Sequence, residues 1–203
     1  MVLEVMGRFA GWIALESAIS GGADVALIPE IPYDINKAAE AIKRRQAKGK
    51  NFSIVVVSEG AMSKNGENET HSAEGIDAQA GISIKFGGIG PKVAKELQEL
   101  TGLEARCTVL GYMQRGGTPT AYDRVLSTKY GAKAMELAME EKFGVLTVIQ
   151  NGKLTYVPLE EVVGNNKELG AVQGGTEDSN VRLVTMDHDL VKTARDIGIC
   201  LGD

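Results

Sequence analysis

The sequence predicts an α/β fold: a parallel sheet with helices on both faces. Two observations predict it. Short apolar runs alternate with stretches of helical spacing along most of the 203 residues. The run Ser53-Ile54-Val55-Val56-Val57 is continuous rather than alternating, as in a strand buried on both faces.

Residues 2–6 read as a short strand, Gly7 and Arg8 as a turn, and residues 9–19 as a helix. Ala10, Ile13, Ala14 and Ser17 fall on nearby faces of that helix, and Gly21-Gly22 ends it. Residues 25–28 form the next strand, closed by Pro29. Strand, helix and strand at this spacing suggest a parallel crossover unit. Asp34 is placed to cap a helix whose apolar stripe is Ile35, Ala38, Ala39 and Ile42. Lys43, Arg44, Arg45, Lys48 and Lys50 follow, cations that suit a helix carboxyl end. They read either as a solvated helix end, the favoured reading, or as an effector-phosphate patch. The strand at 53–57 comes next.

Residues 61–81 are polar with no stable period and read as a loop, with room for a short helix or hairpin. His71 lies there beside Glu67, Glu69 and Glu74, at spacing poor for a metal site. Gly87-Gly88-Ile89-Gly90-Pro91 opens a helix to about residue 101. Pro91 at the first helical position explains that start without a ligand. Residues 104–110 read as a strand and 120–141 as a long helix, with Val125, Leu126, Ala134, Leu137 and Ala138 in its apolar stripe. Residues 145–149 and 154–157 flank Asn151-Gly152, a hairpin signal. Gly164-Asn165-Asn166 and Gly174-Gly175 punctuate a polar tail. Residues 188–197 form a last helix, with Leu190, Val191, Ala194 and Ile197 toward the core.

Between the strand at 104–110 and the long helix lies Gly111-Tyr112-Met113-Gln114-Arg115-Gly116-Gly117-Thr118-Pro119-Thr120-Ala121-Tyr122-Asp123-Arg124. Thr118 is the expected N-cap and Pro119 the first helical residue, where a missing N–H costs nothing. The glycines let backbone approach a ligand, helix-start amides attract anions, and Arg115 offers a bidentate clamp. From the residues alone this is either a phosphate site or a glycine turn with a solvated arginine.

Composition narrows the classes. The formal charge of −5 argues against a general nucleic-acid surface. Two cysteines, Cys107 and Cys200, make no disulfide framework and fit reduced core residues of a cytosolic protein. No signal-peptide core or membrane-spanning run is evident. There are 25 glycines but no collagen-like period, and the few aromatic residues offer little for base stacking.

The long stretch around Arg115 resembles the arginine-glycine-glycine signature of the phosphofructokinase family. Glu4-Val5-Met6-Gly7-Arg8-Phe9-Ala10-Gly11-Trp12 resembles the family's methionine-glycine-arginine segment. Gly21-Gly22-Ala23-Asp24, Ile28-Pro29-Glu30 and Ser58-Glu59-Gly60 follow in the expected order. The resemblance covers nearly the whole chain, weakening after about Gly164, and matches only the second half of a family member. It implies a Rossmann-like, phosphofructokinase-like fold that is an incomplete version of the family's two domains. Residues 1–114 resemble most of the sugar-phosphate domain, 115–163 the returning part of the phosphoryl-donor domain, and 164–203 the final tail and helix.

The implied activity is that of 6-phosphofructokinase, a glycolytic transfer of phosphoryl from ATP or pyrophosphate to the 1-hydroxyl of fructose 6-phosphate with Mg²⁺. By resemblance Arg115 contacts the 6-phosphate, and Arg106 is a second phosphate ligand reaching into a neighbouring subunit's site. Tyr112 stands where many members carry histidine. Glu59 accepts sugar hydroxyls, and Met6 and Gly7 line the sugar. Arg8 neutralises the transferring phosphoryl group. Gln114 is a brace for the turn with no chemical step. No residue here is assigned to the cofactors or to the general base, and Asp24, Asp77 and Asp123 are unconvincing substitutes. The alternatives are a non-catalytic sugar-phosphate or effector module, or a subunit needing a separate first half. A cytoplasmic homo-oligomer is expected, with neither nucleic acid nor membrane as partner.

Overall fold

The structure, a computed structural model, describes residues 1–65, 88–163 and 182–203. Its elements in chain order are β1 (Val2–Val5), α1 (Trp12–Gly21), β2 (Val25–Leu27), α2 (Ile35–Ala47), β3 (Val55–Ser58), α3 (Ile89–Thr101), β4 (Cys107–Val109), a 3₁₀ turn (Gly111–Arg115), α4 (Ala121–Met139), β5 (Val145–Gln150), β6 (Lys153–Pro158), α5 (Leu159–Val163) and α6 (Asp189–Asp196). They fall into two compact units: Met1–Arg115 with Val181–Asp203, and Gly116–Asn180. The expectations for His71, Glu67, Glu69, Glu74, Asp77 and Gly87, and for the glycines and asparagines between 164 and 175, lie outside the described residues.

In the first unit the strands form a four-stranded sheet in the order β2-β3-β1-β4. Every pairing is parallel, with Val2 opposite both Val55 and Cys107. Alternate residues of β3 serve opposite faces, as strand geometry demands. Val55 and Val57 join Ile42, Val93 and Leu97 in one apolar cluster, while Val56 joins Leu15, Val191 and Leu201 in the other. Helices α2 and α3 thus cover one face and α1 and α6 the other, and all of β3 is buried. Beyond β2, Cys200 makes a parallel bridge with Val25.

Several boundaries differ from the sequence reading for identifiable reasons. Helix α1 starts at Trp12 because residues 6–11 form a loop, and its buried residues are Ala14, Leu15 and Ala18. Ile13 is exposed. The α2 expectations hold: Asp34 caps through a hydrogen bond from the Asn36 N–H, and Ala38, Ala39 and Ile42 are buried. At α3 the cap is Gly88, at φ 93°, so Pro91 is the helix's third residue rather than its first. The Gly90 N–H donates to the Glu4 carboxylate at 2.8 Å, so this helix start already holds an internal anion. Ile197 caps the end of α6 and is exposed, while Val191 and Ala194 are buried as expected.

In the second unit β5 and β6 pair antiparallel. Asn151 and Gly152 both have positive φ, 51° and 75°, as a two-residue hairpin turn of this hand requires. Helix α4 is capped by Thr120, two residues later than the sequence suggested. Thr120 and Asp123 form a reciprocal capping box, which fixes the start there. Of the predicted stripe only Leu137 is buried; Val125 is exposed. Within this unit a two-stranded sheet covers one side of α4. Val125, Met135 and Met139, together with Thr128 and Ala132, recur at three- and four-residue intervals along the other side. Among the described residues no helix is long and apolar enough to cross a membrane.

Candidate functional site

The site is built where three neighbouring parallel strands end. Strand β1 lies between β3 and β4, so the loop after Val5 has Glu59 on one side and the Gly111–Arg115 turn on the other. Carboxyl ends of parallel strands are the usual ligand edge of an open α/β sheet. Met6, Gly7, Arg8, Glu59, Tyr112 and Arg115 all lie in the loops at this edge.

Gly7 is held from several directions. Its carbonyl accepts hydrogen bonds from the Ser58 hydroxyl at 2.5 Å and the Gly60 N–H at 3.0 Å. Its own N–H points at Glu59 Oε1, 3.5 Å away. The Glu59 N–H donates to the Val5 carbonyl at 2.9 Å, continuing the β1–β3 ladder into the site. Gly7 has φ 144°, and a Cβ on it would lie 2.3 Å from Ser58 Oγ. A Cβ on Gly60 would lie 1.9 Å from the Arg8 carbonyl oxygen. Both glycines are therefore required by the close passage of one loop over the other.

On the other side, the β1–β4 ladder ends with the Leu110 N–H donating to the Glu4 carbonyl at 3.0 Å. The chain then turns, and Gln114 Oε1 accepts the Met6 N–H at 2.7 Å. Tyr112 is 87% exposed, so it is not an aromatic packed at the sheet edge. Arg115 is exposed and has no ion pair among the described residues. The Arg8 guanidinium lies 5.9 Å from the centre of the Phe9 ring, within cation–π range.

The far end of the same loop is anchored by Glu30. Its Oε1 accepts the N–H groups of Gly11 at 3.0 Å and Val184 at 2.9 Å. The Trp12 indole donates to the Arg182 carbonyl at 2.6 Å, and the Arg182 guanidinium stands 4.9 Å from the Trp12 ring centre. The His188 ring meets Trp12 edge-on at 4.9 Å. Together these contacts tie the returning tail to the start of α1.

Arg106 is not brought to this edge. It immediately precedes β4, at the amino end of the sheet, and its guanidinium pairs with Glu104 at 2.8 Å, both side chains being exposed. Asp24 is committed to Arg45 at 2.8 Å and to the Ile54 N–H at 2.9 Å. Asp123 belongs to the α4 cap, and the Thr120 hydroxyl, then its N–H, hold its carboxyl below the ordinary aspartate range. Burial, then the nearby Glu4 carboxylate, push the Cys107 thiol upward. Ser58, Gly60 and Glu30 were not singled out as separate site residues by sequence reasoning. A serine ending a buried apolar run was the signal for Ser58, since a hydroxyl there needs a partner.

The family model described as phosphofructokinase matches residues 1–138. The ATP-dependent 6-phosphofructokinase 2 of Clostridium perfringens is 47% identical over all of this chain and 51% of its own length. The ATP-dependent 6-phosphofructokinase of Spirochaeta thermophila is 43% identical over all of this chain and 50% of its own. The chain thus spans about half the length of the curated relatives it matches. A solved phosphofructokinase structure from Saccharomyces cerevisiae aligns with a TM-score of 0.65 at 33% identity, over 83% of this chain and 21% of that one. From its family match and its sheet architecture, this chain belongs to the phosphofructokinase family.

Proposed function

We infer that this chain supplies the fructose 6-phosphate side of a 6-phosphofructokinase. The observation that carries the reading is the meeting of Glu59, the Met6-Gly7-Arg8 loop and the Tyr112–Arg115 turn at one edge of three adjacent parallel strands. Arg115 offers a planar fork of donors to the 6-phosphate, and Tyr112 adds a neutral hydroxyl. Glu59 accepts hydrogen bonds from the sugar hydroxyls. Met6 and the Gly7 backbone line the sugar. Arg8 lowers the cost of charge developing on the transferring phosphoryl group. Arg106, at the opposite end of the sheet, serves the phosphate of a neighbouring subunit's site.

ATP is the donor favoured by the names of the relatives. Mg²⁺ would accompany it and neutralise phosphate charge. Among the described residues no group of three or more His, Cys, Asp or Glu could hold a metal ion, and none is assigned to Mg²⁺ here. Glu30 and Asp123 are held by their own hydrogen bonds, so neither is assigned the 1-hydroxyl proton. A cytoplasmic homo-oligomer is the setting this reading expects.

Calorimetry tests the reading. Arg115→Ala is expected to weaken fructose 6-phosphate binding about tenfold or more, the scale of a charge-assisted hydrogen bond, and to leave binding of unphosphorylated fructose nearly unchanged. Equal losses for the two sugars remove Arg115 from the phosphate role. A coupled assay with Mg²⁺-ATP on the same chain distinguishes a complete kinase, which turns over, from a sugar-phosphate module, which only binds.

A further inference from the structure

We propose that Gln114 is a positioning residue, which sets the phosphate-facing turn against the sugar-lining loop. The proposal rests on the fructose 6-phosphate reading and extends it. Met6 and Arg115 come from segments more than a hundred residues apart and must keep one spacing to grip the two ends of one small ligand. The parallel ladder that holds β1 to β4 stops at the Leu110 N–H and the Glu4 carbonyl. Beyond that rung Gln114 reaches back across the gap, and its side-chain oxygen accepts the Met6 N–H at 2.7 Å. The next residue along the turn is Arg115. The next residue along the loop is Gly7, already fixed from the opposite side by Ser58 and Gly60.

The chemistry of the side chain fits the task. An N–H must be met by an acceptor, and the glutamine amide supplies one without charge. A carboxylate there would accept equally well but would set a negative charge beside a phosphate. An apolar side chain of the same length would leave the Met6 N–H to water and the turn free to shift. A misplacement on the ångström scale is enough to spoil a multi-point grip. Gln114 is exposed, so its loss acts on alignment rather than on the packed core.

The experiment compares wild type, Gln114→Met and Gln114→Glu in the 203-residue chain. Amide exchange at Met6 is followed by NMR, fructose 6-phosphate binding by calorimetry, and the thermal midpoint by circular dichroism. Gln114→Met is expected to speed Met6 exchange and to weaken fructose 6-phosphate binding about three- to tenfold, the usual worth of one such bond, with the thermal midpoint unmoved. Gln114→Glu is expected to restore slow Met6 exchange, because its carboxylate still accepts. Unchanged Met6 exchange in Gln114→Met overturns the proposal, and so does wild-type affinity in that variant. A wild-type chain that takes up no fructose 6-phosphate overturns both the functional reading and this role. Normal wild-type binding with an indifferent Gln114→Met overturns the positioning role alone.

Discussion

At the scale of single residues, the site depends on what two backbones can do at close quarters. Gly60 and Gly131 make the point by contrast. A methyl group on Gly60 meets the Arg8 carbonyl at 1.9 Å, whereas one on Gly131, inside α4, meets nothing within 4 Å. The same substitution should therefore have opposite signs. Gly60→Ala is expected to destabilise the first unit by about 1–3 kcal/mol, the range of over-packing, and to displace the Arg8 loop. Gly131→Ala is expected to stabilise α4 by about 0.5–1 kcal/mol, the difference in helix propensity. Urea denaturation of the two variants checks both; a neutral Gly60→Ala sinks the close-passage account. The sequence marks Gly7 as a turn residue, but not that Gly60 faces another backbone. That depends on a partner more than fifty positions away.

At the scale of elements, most boundaries were legible because capping is local. Asp34 and its helix were readable from adjacent letters, and the Asn151-Gly152 hairpin from two. Thr120 was masked by the Thr118-Pro119 pair, and the reciprocal bond with Asp123 decides between the two threonines. The apolar face of α4 was misread because helical spacing shows that a face is apolar, not whether anything covers it. The caps also carry a pH signature. Hydrogen bonds from Asn36, backbone first and side chain second, hold the Asp34 carboxyl below its usual value. Thr120 does the same for Asp123. A depressed folded-state value means the stabilisation is present above the unfolded-state value and is lost as pH falls through the folded one. Asp123→Asn should therefore cost stability at neutral pH and cost progressively less in acid. Paired thermal melts across that range test it, and a cost that stays constant to low pH overturns the linkage.

At the scale of the whole molecule, the parallel sheet and the convergence of the signature turn with Glu59 were legible because βα connections put loops at one sheet edge. The position of Arg106 at the other end was not, since a residue just before a short strand and one just after it look alike in sequence. Exposed apolar side chains on α4, Val125, Met135 and Met139, with Phe143 following, leave more than isolated surface hydrophobics to solvent. The 203-residue chain is expected to associate, as a dimer or larger. Light scattering behind size exclusion checks this, and a monodisperse monomer across a wide concentration range overturns it.

The tail has a consequence for the order in which the protein is made. Val25 is bridged to Cys200, Leu201 is 1% exposed, and a Cβ on Gly202 would strike Tyr33 at 2.7 Å. The first unit is thus closed by residues that a ribosome adds after the whole of Gly116–Asn180. At about 5–20 residues per second, that intervening segment delays closure by about 3–13 s. Through that interval the nascent sheet carries helix α1 without α6 beside it. A chaperone that reads unburied aliphatic side chains has there a window set by topology rather than by folding rate.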